Sequence, residues 1–196
     1  TQINFENAQI INNYFDSTDA GSNVRSNGPL LVNVSLNAAS FDVSNNVFSN
    51  GFGGVSTGSI DNGKICNNRF SEIGSQDAAN DFTAAIIINV SGITGSVDNA
   101  LISGNIIENC GVGAFTGAVD GPISGIYISL GGSFSQSVIS NNVIKGGVVD
   151  ASISRCIYLE SFLGQVKIDG NQCTPFTSAG TVKDSHGILL YPSTSS

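Results

Sequence analysis

The chain has 196 residues, enough for one sizeable hydrophobic core. Only 11% of the residues are charged against 40% hydrophobic, so Ser, Thr, Asn and 24 Gly must supply most of the surface. Fifteen acids against seven bases leave a formal charge of −8 with no basic run, which argues against a nucleic-acid backbone as partner. No segment approaches about 18 consecutive apolar residues, and no basic stretch leads into a short apolar one, so neither membrane insertion nor a targeting signal is expected. Cys66, Cys110, Cys156 and Cys173 have no CxxC spacing, and a single His is present. No metal or other cofactor is expected from them. Four cysteines are also too sparse for a disulfide framework, and buried free thiols are the simplest reading.

Taken in chain order, two kinds of apolar segment recur. AQIINNYF (8–15) is followed by GPLLVNV (28–34), FDVSNNVF (41–48), GKICNNRF (63–70), AAIIINV (84–90) and ALISGNII (100–107). After these come GIYISL (125–130), SVISNNVI (137–144), CIYLES (156–161), VKIDGNQC (166–173) and GILLYP (187–192). Six segments share a register asparagine: Asn13, Asn46, Asn68, Asn105, Asn142 and Asn171. Three residues before it stand Ile10, Val43, Ile65, Ile102, Ile139 and Ile168. Two residues after it stand Phe15, Phe48, Phe70, Ile107, Ile144 and Cys173. A constant motif at unequal spacing indicates one repeating architecture with loops of varied length. The other segments alternate with period 2 and are rich in β-branched residues, the signature of strands, and helical periodicity is absent.

The position before the register asparagine is Asn12, Asn45, Asn67, Gly104, Asn141 or Gly170. Asn and Gly tolerate left-handed backbone better than other residues, so this position predicts a sharp corner. The register asparagine then points inward and bonds to the asparagine of the next coil, forming an amide ladder that satisfies backbone groups which the corner removes from the sheets. The whole pattern, over residues 8–192, resembles the right-handed parallel β-helix (pectate-lyase-like) family. That resemblance implies an all-β chain of about six to seven coils with asparagine-ladder corners. Residues 1–196 then form a single β-helix domain. Six coils at about 4.8 Å per coil make a short rod with no evident cap, so a section of a longer protein, or ends covered by neighbouring chains, is expected.

Function has to come from outward side chains. Parity places Ile87, Tyr127, Tyr158 and Leu189 in one outward stack, with Asn89, Ser129, Glu160 and Tyr191 beside it. An apolar outer stripe calls for a cover, either further copies of the chain or sugar rings stacked on the tyrosines. Asp81, Asp120, Asp150 and Asp184 stand near the strand entrances, where Asp is also a common turn residue. Asp150, Asp184, Glu160, Arg155 and His186 form the one constellation of acids, base and histidine beside aromatics. Its chemistry is that of glycoside hydrolysis: one carboxylic acid protonates the leaving oxygen and a second carboxylate activates water or attacks the sugar. Glu160 is the expected acid, with Asp184 or Asp150 as partner. Arg155, His186, Tyr127, Tyr158, Tyr191 and Asn89 are expected to bind substrate. A lyase fits less well, because an acidic rim does not neutralise a uronate. No phosphate-binding loop, calcium loop or nucleophile elbow occurs.

Low charge, a Ser/Asn/Gly-rich surface and varied loops make the chain resemble, more loosely, the β-helix section of a bacteriophage tailspike. That resemblance implies a homotrimer, located in the virion or outside the cell, which binds and cleaves bacterial surface polysaccharide. It also accounts for unpaired cysteines, since such proteins fold in a reducing cytoplasm. A non-catalytic glycan-binding or adhesin module, a structural segment and a secreted pectate-lyase-like enzyme remain as alternatives.

Overall fold

A computed structural model describes residues 7–16, 30–34, 40–50, 53–58, 60–73, 83–89, 97–110, 123–129, 133–146, 148–149, 153–174, 177–178 and 184–192. All regular structure among them is β, and every strand pairing is parallel. The described strands form curled sheets of thirteen, six and two strands, an arrangement consistent with a parallel β-solenoid. Among the described residues no helix is long and apolar enough to cross a membrane.

Three rows of strands carry most of the core. The first row stacks Asn7–Ile11, Ser40–Ser44, Lys64–Cys66, Leu101–Ser103, Ser133–Ser140 and the C-terminal half of the long strand Ile153–Asp169. The second stacks Tyr14–Asp16, Val47–Ser49, Arg69–Ser71, Ile106–Cys110, Val143–Gly146 and Gln172–Thr174. The third stacks Leu30–Val34, Gly53–Thr57, Thr83–Asn89, Ile123–Ser129, the N-terminal half of Ile153–Asp169, and Asp184–Pro192. In a parallel stack like pairs with like, so apolar residues that repeat in sequence become columns in space. Val43, Ile65, Ile102 and Ile139 make one buried column, and Phe48, Phe70, Ile107 and Ile144 make another. The rings of Phe15, Phe48 and Phe70 stack face to face, with centroids 5.0 and 4.8 Å apart, about one interstrand step.

Between the first and second rows, the residue before each register asparagine is left-handed, with φ between +55° and +68° at Asn12, Asn45, Asn67, Gly104, Asn141 and Gly170. The register asparagines are joined by hydrogen bonds. Nδ2 of Asn13, Asn46, Asn68, Asn105 and Asn142 donates to Oδ1 of the next in the series at 2.8–3.2 Å. The backbone N–H of each donates to the same oxygen. Nδ2 also donates to a strand carbonyl one coil back, as Asn105 does to Ile65 and Asn142 to Ile102. Asn46, Asn68, Asn105 and Asn142 are fully buried, whereas Asn13 is exposed. A further left-handed row, Asn62, Asn99 and Gln136, turns the chain at a corner that the sequence reading does not identify; Asn99 Nδ2 donates to Asn62 Oδ1 at 2.9 Å.

The third row breaks simple alternation. Ala85 and Ile86 both belong to the main core, as do Cys156 and Ile157. The paired register omits this position between each pair of neighbours, running Ala84–Ser124–Arg155–His186 and then Ile86–Ile126–Ile157–Ile188. A bend here turns two consecutive side chains inward. Gly54 and Gly125 occupy the same column, where a Cβ would lie 2.5 Å from the Phe70 ring and 2.7 Å from the Ile144 side chain.

Candidate functional site

The third row brings the sequence-predicted residues into the expected register. Ile87, Tyr127, Tyr158 and Leu189 are paired in turn, and so are Asn89, Ser129, Glu160 and Tyr191. Arg155 pairs with His186 on one side and Ser124 on the other. Asn89, Asp184, His186 and Tyr191 have strand backbone at these places, but their side chains lie outside the described residues, as does the whole of Asp150. Asp81 and Asp120 also lie outside them. The geometry of the site therefore rests on Ser124, Tyr127, Arg155, Tyr158 and Glu160.

The tyrosine stripe is not an open face. Tyr127 and Tyr158 are only 3% and 7% exposed within this one chain. With Ala84 they form a small apolar cluster apart from the main core, and Ile87 and Leu189 pack against it. This corrects the expectation that the stripe needs a second subunit or a sugar to cover it. Part of the cover comes from the residues themselves. The two rings lie 5.3 Å apart and tilted by 33°, and the Arg155 guanidinium sits 3.9 Å above the Tyr158 ring. A cation over a tyrosine face is a favourable electrostatic contact, and here it occupies the surface on which a sugar would stack.

Glu160 is held by the same group. Its Oε2 accepts the Tyr127 hydroxyl at 2.8 Å, a diagonal contact between adjacent strands. Burial, with the Glu160 charge adding to it, pushes the Tyr127 phenol well above its ordinary value. Tyr158 is pushed up as well, chiefly by burial, with Arg155 opposing. Both phenols therefore keep their protons near neutral pH, and Tyr127 serves as the donor to Glu160.

Beside this pair two buried polar atoms stand out. Neither Ser124 Oγ nor Arg155 Nε has a hydrogen-bond partner among the described residues, although Ser124 is 1% and Arg155 8% exposed. They belong to residues paired across adjacent strands. Buried polar groups are nearly always satisfied, so an open donor and an open hydroxyl on paired residues set this place apart from the rest of the row. Sequence reasoning singled out Arg155 and missed Ser124; the signal was its register beside Arg155. Among the described residues no group of three His, Cys, Asp or Glu side chains is placed to hold a metal ion.

A different polar cluster lies on the second row. Glu108 accepts from Arg69 at 2.8 Å and from Lys145 at 2.9 Å, and these bonds, Lys145 foremost, hold its carboxyl below the ordinary value. Arg69 and Lys145 are largely solvated, so the cluster serves as a surface tie between three adjacent strands.

No protein-family model matches the chain, and neither a curated protein nor a solved structure matches it.

Proposed function

We propose that this chain is a section of a right-handed parallel β-helix of about six to seven coils, with its register asparagines forming a continuous amide ladder, and that it binds a bacterial surface polysaccharide. The observation that carries the binding reading is the pair of open polar atoms, Ser124 Oγ and Arg155 Nε, next to the Tyr127–Glu160 hydrogen bond. A guanidinium N–H and a hydroxyl at neighbouring positions suit vicinal sugar hydroxyls or a sugar carboxylate. Glu160 and the protonated Tyr127 extend the same polar edge. The tyrosines contribute by fixing Glu160 and Arg155 rather than by offering a ring face.

Cleavage of the glycan is the second reading, favoured by Glu160, a carboxyl already hydrogen-bonded to a phenol at this edge. Glu160 then acts as the general acid, and Asp184 or Asp150 is the proposed partner. Asn89, His186 and Tyr191 are proposed as further substrate contacts on the strength of their places in the third row. The tailspike setting, a homotrimer in the virion or outside the cell, rests on the family resemblance, since the buried stripe no longer calls for a subunit to cover it.

The test is a panel of bacterial surface polysaccharides assayed for binding and for release of reducing ends, with Glu160→Gln alongside the parent chain. The expected outcome is that one glycan binds, and that any release of reducing ends is lost in the variant while its unfolding midpoint is unchanged. Cleavage retained in Glu160→Gln removes Glu160 as the acid. Failure of every glycan to bind overturns the proposal.

A further inference from the structure

The column of small residues at the bend of the third row faces the large column of the second row. Gly54 faces Phe70, and Gly125 faces Ile144, with no room for a Cβ at either glycine. Continuing both columns by their strand register brings Gly125 to the position of Cys156, and Ile144 to Cys173. One coil on, therefore, the glycine has become cysteine and the isoleucine has become cysteine. A small-against-large pair is replaced by two medium side chains facing each other across the core.

Several contacts place them together. Cys156 is fully buried in the main core, and Cys173 packs against that core. The Cys156 thiol lies 3.8 Å from the carbonyl oxygen of Thr174, the residue after Cys173. A Cβ built at Gly187, which follows Cys156 in the small column, lies 3.8 Å from the Cys173 Cβ. The Cys156 thiol therefore reaches the strand that carries Cys173, the closeness of backbones that a disulfide needs. Both thiols are reduced here.

We propose that Cys156 and Cys173 are a redox modification site, closing to a disulfide that pins the second row to the third within one coil. With a small-molecule disulfide as oxidant, the Cys173 thiolate attacks one of its sulfurs and releases one thiol. The Cys156 sulfur, giving up its proton, then attacks Cys173 in the mixed disulfide and releases the second thiol. Two protein thiols thus lose two protons and two electrons, and the oxidant is reduced to two thiols. The order follows from the surroundings: Cys173 is half-buried, whereas Cys156 is enclosed. Interaction between the two thiols also holds Cys173 below its ordinary value and pushes Cys156 up. The staple falls where the core thins, because Val166 and Ile168 are only partly buried and Ile188 and Leu190 are 44% and 46% exposed.

The test treats the whole chain with oxidised glutathione, then counts thiols after denaturation and maps tryptic peptides without reduction. Trypsin cuts at Lys167, between the two cysteines, so the bond joins two separate peptides. The expected result is two thiols remaining of four, with peptides 156–167 and 168–183 linked, and a melting midpoint above that of the reduced chain. The Cys156→Ala variant should instead stop at a mixed disulfide on Cys173, and Cys66→Ser should leave the linkage intact. Four thiols remaining, or a linkage that involves Cys66 or Cys110, overturns the proposal.

Discussion

The asparagine corner and the outer face of the third row are built from the same stack of parallel strands, but they differ in one respect. The corner repeats and the face does not. At the corner the same amide-to-amide bond recurs from Asn13 through to Asn171, and each preceding residue takes the same left-handed backbone. On the face, Ser124, Tyr127, Arg155, Tyr158 and Glu160 occur across two adjacent strands, and the positions paired with them change character from coil to coil. Repetition satisfies backbone groups that every coil must bury. A non-repeating buried cluster with two open polar atoms has no such structural duty, and it is there that binding is proposed.

Substitutions can break the comparison from the structural side. The largest effect is expected at Gly125→Val, which puts a Cβ 2.7 Å from the Ile144 side chain and 2.9 Å from the backbone oxygen of Cys156. The backbone oxygen cannot move aside like a side-chain tip, so urea unfolding should show a loss of about 3 kcal/mol or more. An unchanged midpoint would mean that the bend at this position is wrongly placed.

Next in size is the contrast within the corner itself. Asn142 is fully buried, donates to Asn171 and accepts from Asn105, whereas Asn13 is exposed and, within the series, donates to Asn46. Asn142→Ala leaves buried groups of two coils without partners and should cost more than about 1 kcal/mol, up to about 3 kcal/mol. Asn13→Ala should cost less than about 1 kcal/mol, because water can replace the lost bonds. Equal losses in the two variants would show that burial does not set the value of these bonds.

The smallest effect belongs to Glu108. Its folded value lies below its ordinary 4.5, so its contribution is present above that pH and is lost as pH falls through the folded value. Surface pairs of this kind are worth under about 1 kcal/mol. Glu108→Gln should therefore lower the melting midpoint slightly at neutral pH and leave it unchanged once the parent carboxyl is protonated. A difference between the two chains that persists in acid would assign the effect to packing instead.

The corners were legible in the sequence because left-handed backbone restricts the residue type, and Asn or Gly at six matched positions leaves little choice. Strand register was legible for a related reason: in a parallel stack, like pairs with like, so Tyr127 could be set beside Tyr158 from spacing alone. The cover on those tyrosines was not legible. Parity gives a side chain's direction, but the Arg155 guanidinium over Tyr158 depends on a long side chain folding back across its neighbours. Nor was the inward turn of Ala85 and Cys156, because it breaks the period of 2 on which the reading relied. The Asn62–Asn99 corner escaped because its third member is Gln136, so the amide repeats without the asparagine. Ser124 was passed over as one serine among many, and only its pairing with Arg155 gives it meaning.

The most direct test of the central claim is to titrate the glycan selected by the polysaccharide panel against Ser124→Ala and Asn13→Ala, with the unfolding midpoint of each variant measured in parallel. Ser124→Ala removes a hydroxyl without adding bulk or breaking a hydrogen bond to any described residue. The account predicts that binding weakens by about tenfold, or about 1.4 kcal/mol, in Ser124→Ala and is unchanged in Asn13→Ala. Equal binding by both variants and the parent chain would contradict it, and would remove the Ser124–Arg155 edge from the site.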